Sequence, residues 1–206
     1  MQNKWQRLEE VAMHNKAKRF IVSPPMSPVD YDDMTEIQKF AVDIGTNENH
    51  QILFLCGSAG SRKTATALKI CEHFRGRVQA TAYPGKAVSL FNGPTIHSMF
   101  GWSHQQHNSA LTETKPDSKK VTEFRVAHED IELFVIEEAL AVPPAYFALI
   151  DEIMTAAFNP KHEMNAKGDI APFGGKKCFS SEIRHNCHQL EDRQCTTMDA
   201  MLATIS

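Results

Sequence analysis

The chain has 206 residues, 42% of them hydrophobic, and a formal net charge of -3. That length supports one ordinary core and leaves little for a second full domain, and the slight acidity excludes a global basic field, so any nucleic-acid partner must be held by a local groove. The longest apolar runs, Ile52–Cys56 and Leu133–Ile136, are too short to span a bilayer, and five cysteines without framework spacing point to a reducing compartment and no disulfide partner.

The first twenty residues carry basic side chains and weak helical periodicity, but also Glu9 and Glu10 and no apolar run, which argues against a secretory leader. SPPMSPVDYDDM, Ser23–Met34, is proline-rich and acidic and reads as a linker, because proline fixes φ and removes a backbone donor. Residues 1–33 are therefore set apart as an N-terminal segment and linker, ahead of a domain over residues 34–177.

Within that domain the pattern alternates: helix Glu36–Ile44, strand Gln51–Cys56, helix Ala65–Phe74, strand Arg77–Ala82, helix Lys86–Leu90. Such alternation predicts an α/β fold with a mostly parallel sheet and helices on both faces. Ser103–Lys120 is polar without apolar period and is expected to be a surface loop. Strand Glu132–Ile136 follows, then a helix over Pro144–Phe158 with Phe147, Ile150, Met154 and Phe158 on one face and prolines suited to its first turn.

GSAGSRKT, comprising Gly57, Ser58, Ala59, Gly60, Ser61, Arg62, Lys63 and Thr64, stands between an apolar strand and a helix. Phosphate-binding loops need that context: backbone N–H groups at a helix N-terminus cradle the phosphates, Lys63 would reach the β/γ-phosphates, and the Thr64 hydroxyl would bind Mg²⁺. The pattern G-x-x-x-x-G-K-[ST] wants glycine where Arg62 stands, since glycine permits backbone conformations and close approach that a side chain hinders. Taken alone, such a loop also reads as an ordinary strand-to-helix turn. ELFVIEE, Glu132–Glu138, ends an apolar strand in two carboxylates. Glu137 is the candidate Mg²⁺ ligand, through water, and Glu138 the candidate group polarising an attacking water, with Lys63 the other catalytic candidate. The plainer reading is an acidic pair opening a helix.

TAYPGKAVSLFNGPTIHSMFGW, Thr81–Trp102, resembles the T-A-x-T-G-x-A-A segment and following T-I-H-S of Pif-type (petite integration frequency) DNA helicases of superfamily one. In that family the two segments line the path of single-stranded DNA, and the resemblance implies backbone contacts from Thr81, Gly85, Lys86, Thr95 and His97. Pro84 departs from the family's Thr or Ser, and His97 alone would also read as a buried core histidine. MTEIQKFAVDI, Met34–Ile44, is similar to the family's adenine-reading segment, with Gln38 offering a donor and an acceptor. EEALAVPPAYFALIDEI resembles D-E-x-S-M-V and its following helix, and PFGGKK, Pro172–Lys177, resembles the lead into the next strand. The resemblance covers about Met34–Lys177 and implies a RecA-like P-loop NTPase fold. It further implies ATP and Mg²⁺, hydrolysis coupled to 5′-to-3′ movement on single-stranded DNA, a monomer without membrane contact, and roles in repair, recombination and telomere maintenance. Nuclear or mitochondrial residence would follow in a eukaryote and cytoplasmic residence otherwise, with no secretion.

The family continues with G-D-x-x-Q-L-P-P and a second RecA-like domain, neither of which appears as such. Residues 178–206 are expected to be a non-homologous, poorly packed tail arising from a frameshift. SEIRHNCHQL, Ser181–Leu190, can be encoded as TCG GAG ATC CGG CAC AAC TGC CAC CAG TTG. Dropping the first two bases gives codons for G-D-P-A-Q-L-P-P-V. CFSS in that frame can give L-L-I, an apolar strand. His185, Cys187, His188 and Cys195 lack the spacing of a zinc knuckle or ribbon. Two functions stand: the ATP-dependent helicase domain, inactive in unwinding by itself, or a nucleotide- or DNA-binding remnant without turnover, favoured by Arg62 and Glu137. A P-loop GTPase or small-molecule kinase would leave TIHS unexplained.

Overall fold

The computed structural model describes residues 25–47, 51–58, 60–83, 93–101, 118–164, 168–183 and 200–205, and singly Arg7 and Val11. The helix expected over Lys86–Leu90 and most of the expected loop lie outside the described residues.

Helix α1 spans Glu36–Thr46 and begins at a reciprocal cap: the Thr35 hydroxyl accepts from the Gln38 N–H, and the Gln38 carboxamide accepts from the Thr35 N–H. This satisfies two N–H groups that a helix start leaves open. Strand β1, Ile52–Gly57, is buried at every position, as a strand covered on both faces must be. Helix α2, Lys63–His73, follows the candidate phosphate loop, and β2, Val78–Ala82, is again wholly buried. Helix α3 is Ile96–Phe100, capped by the Thr95 hydroxyl accepting from the Ser98 N–H.

Helix α4, Lys119–His128, was not expected: its first two lysines fall at the end of the polar stretch, and Ser118 caps it. Its buried Val121, Phe124, Ala127 and His128 form one helical face. Strand β3, Leu133–Glu137, and helix α5, Pro144–Phe158, match the sequence reading closely. Strand β4 is Lys177–Ile183 and β5 is Ala200–Ile205.

The sheet order is β2-β3-β4-β1-β5, and every pairing is parallel. Strand β4 inserts between β3 and β1, placing Cys178 opposite both Phe134 and Ile52. Alternate residues feed two cores, one per face. Leu53, Leu55, Val78, Ala80, Leu133, Val135 and Phe179 pack under α1 and α2. Ile52, Phe54, Phe134, Ile136 and Cys178 pack under α3, α4 and α5.

Two expectations change. The tail boundary moves, because Cys178, Phe179 and Ser180 are buried and belong to a central strand running to Ile183. The expected absence of disulfides is corrected at Cys56, which is disulfide-bonded. Sequence spacing could not foresee this: β1 lies between strands from the far end of the chain, so the fold sets what approaches Cys56. Cys71 and Cys178 are free and buried, and burial pushes the Cys71 thiol up to about 12. Among the described residues, no helix is long and apolar enough to cross a membrane.

Candidate nucleotide and nucleic-acid site

The carboxyl ends of parallel strands are where α/β sheets bind ligands, and the candidate residues converge on that edge. Strand β1 runs into the loop at Gly57, and α2 starts at Lys63. Arg62, the residue before α2, has φ 58° and ψ 28°, the left-handed conformation for which the motif prefers glycine. Its side chain is exposed. The Lys63 ammonium folds back on the loop, donating to the Gly57 carbonyl at 2.7 Å, the Ser58 carbonyl at 2.5 Å and the Ser61 hydroxyl at 3.3 Å. Burial holds it below the ordinary lysine value. Thr64 is exposed in the first turn of α2, beside the open N–H groups and positive dipole end of that helix. Ser58 and Gly60 are exposed, while Ala59 lies outside the described residues.

Gln38 is buried, and its amide nitrogen donates to the Ser61 carbonyl at 3.4 Å. It therefore ties α1 to the phosphate loop as well as capping α1. A carboxamide has two N–H donors and two acceptor positions, so each end retains capacity for a base edge.

Strand β3 delivers the acid pair. Glu137 Oε1 is buried with no hydrogen-bond partner among the described residues. Burial, and secondarily the Glu138 carboxylate, push the Glu137 carboxyl up to about 7. Glu138 has φ 51° and opens a tight turn at Ala139–Ala141, not a regular helix. The buried Ser180 hydroxyl accepts from the Ala139 N–H at 3.2 Å, so β4 pins that turn. The acid pair thus precedes a single 3-10 turn, and the longer helix α5 starts only at Pro144.

Strand β2 carries the other candidates. Ala82 is opposite Glu137 in register and bridges Thr95 on its other side, so the acid pair and the TIHS segment share one level of the edge. Gly93 makes this approach possible, because a Cβ there would collide with the Ala80 carbonyl. The Thr81 hydroxyl donates to the Pro94 carbonyl at 2.9 Å. Thr81 is 2% exposed and His97 5% exposed. The Thr81 side chain moors the segment, and the His97 ring lies against Tyr83 and Tyr146, with centroids 6.1 and 5.3 Å away. Thr95 serves as the α3 cap, and Gly85 and Lys86 lie outside the described residues. The sequence reading missed Tyr146 and passed over Tyr83, although Tyr83 stands inside the quoted segment.

A parallel sheet whose first strand enters a lysine-bearing loop at a helix N-terminus, with an acid-tipped strand at the same edge, defines a P-loop nucleotide-binding α/β domain. The family model described as PIF1-like helicase matches residues 31–181. The chain belongs to the PIF1-like helicase family. It is 32% identical over 145 residues to the ATP-dependent DNA helicase Pif1 of Psychrobacter sp. (strain PRwf-1), covering 67% of this chain and 19% of that protein. Its fold is similar to that of Pif1 helicase from Candida albicans, with TM-score 0.56, 19% identity, and coverage of 84% of this chain and 39% of that one. It is also similar to Pif1 helicase from Bacteroides in complex with ADP-AlF3 and single-stranded DNA, with TM-score 0.52, 17% identity, and coverage of 82% and 42%. The chain thus spans about a fifth of the curated relative and about two fifths of these structures.

Proposed function

We propose that this chain is the nucleotide-binding half of a Pif-type DNA motor, which holds ATP with Mg²⁺ at the Gly57–Thr64 loop and passes single-stranded DNA along the β2 and α3 edge. The reading rests chiefly on the shared level of Ala82, Glu137 and Thr95, which puts acid pair and TIHS segment at one sheet edge. The residues fit the nucleotide. Glu137 presents a buried carboxylate oxygen without a partner among the described residues, which a cation would satisfy. Lys63 has loop carbonyls to exchange for phosphate oxygens. Thr64 and Glu137 would hold Mg²⁺, which supplies charge neutralisation when bound. Gln38 would read the adenine edge, and Glu138 would orient the attacking water.

A remnant without turnover is the second reading, favoured by Arg62 at the left-handed position. ATP hydrolysis by the purified chain, measured with and without single-stranded DNA, separates the two. DNA-stimulated turnover supports the motor; ATP binding without turnover supports the remnant.

A further inference from the structure

We propose that Tyr83 and Tyr146, braced by the buried ring of His97, form a platform on which bases of a single-stranded nucleic acid stack. This rests on the reading of the β2 and α3 edge as the nucleic-acid path. Tyr83 follows directly on Ala82, the residue level with Glu137. Tyr146 stands in the first turn of α5, and His97 comes from α3. Three separate elements thus bring their rings together at the carboxyl edge.

The geometry separates support from surface. His97 is buried and tilted 48° from Tyr83 and 59° from Tyr146. Both tyrosines are half-buried and pack on the rim of the second core. The two phenols are close enough that each ionisation would oppose the other, one cause, after burial, of a Tyr146 hydroxyl raised above its ordinary value. Rings fixed from behind with rims in solvent lose little entropy when a base is added, and every base offers a π-face, so stacking is strong and sequence-tolerant. Hydroxyl and backbone groups along β2 and α3 can track phosphates but cannot sense whether a base is present. The tyrosines supply that missing term.

The test uses the full chain and two labelled probes followed by fluorescence anisotropy: a short oligothymidylate, and an abasic oligonucleotide of equal length and charge. Wild type is expected to bind the oligothymidylate roughly tenfold more tightly. Tyr146→Leu should erase that preference and Tyr146→Phe should keep it, with the salt dependence unchanged in both because phosphate contacts remain. If Tyr146→Leu melts the fold, Tyr83→Leu carries the same comparison. Equal wild-type affinity for both probes, or a preference that survives Tyr146→Leu and Tyr83→Leu together, overturns the platform while leaving the nucleic-acid path intact. Failure to bind either probe overturns the path and the platform with it.

Discussion

Arg62 and Phe173 share an uncommon backbone, with φ of 58° and 52°, yet their surroundings are opposites. Phe173 is fully buried, edge-on to Phe147 with centroids 5.6 Å apart, and its N–H donates to the Asp151 carboxylate at 2.5 Å. The next residue, Gly174, has φ 62°, and a Cβ there would sit 2.5 Å from the Met154 carbonyl oxygen. Arg62 is exposed, and among the described residues its backbone is held by the start of α2 and by a loop folded around Lys63. A left-handed residue costs about 1–2 kcal/mol. At Phe173 core packing outweighs that cost; at Arg62 nothing comparable does. The first region is architecture, and the second is a place where strain persists because the loop must keep one shape.

The contrast predicts opposite signatures. Phe173→Ala should lower unfolding free energy by about 3–5 kcal/mol in urea denaturation, as loss of a buried aromatic does. Gly174→Ala should cost at least about 2 kcal/mol, because a backbone carbonyl must move and the φ is unfavourable. Neither should alter the residual ATP affinity of molecules that remain folded. Lys63→Ala should do the reverse, abolishing ATP binding in calorimetry while leaving stability within about 0.5 kcal/mol. Arg62→Gly should raise stability by about 0.5–1 kcal/mol and strengthen ATP binding. Weaker binding in Arg62→Gly would mean that the guanidinium contacts phosphate, and the contrast would have to be redrawn.

A pH-dependent effect belongs to Glu137. Its carboxyl is raised from 4.5 to about 7 in the fold, so between those values the folded chain keeps a proton that the unfolded chain has released. Stability therefore falls as pH rises through that window and levels off above it. Glu137→Gln should flatten this slope in thermal unfolding without added divalent cation. A slope that persists in the variant would place its origin elsewhere.

Much of this was legible. Strands β1 and β3 are mostly apolar runs bounded by polar or turn residues, β2 alternates apolar with polar residues, and α5 shows a clean helical face behind its prolines, so local pattern sufficed. Helix α4 was hidden because its face, Val121, Phe124 and Ala127, is embedded among lysines, glutamate and arginine that suggest a loop. At the site, the position of the loop and the acid pair at strand ends could be read because they lie in consecutive residues. The burial of Thr81 and His97 could not, because it depends on Gly93 bringing a distant segment against β2. The meeting of Tyr83 with Tyr146 is a tertiary fact with no sequence period. The frameshift reading makes its own demand: sequencing the gene across the codons for Gly175–Leu190 should reveal G-D-P-A-Q-L-P-P in the alternate frame.

The place of β4 in the sheet also sets an order of events during synthesis. Strand β1 ends at Gly57, yet its neighbours begin at Lys177 and Ala200. At ordinary elongation rates it waits on the order of ten seconds for a partner. Meanwhile β2 and β3 can pair with each other, leaving two apolar fragments with unsatisfied edges. The sheet closes only when the late strand slides between them, so contacts of large sequence separation gate the whole core. A nascent chain stalled before Lys177 would be an aggregation-prone intermediate, and its yield would depend on chaperones that shield strand edges until the final insertion.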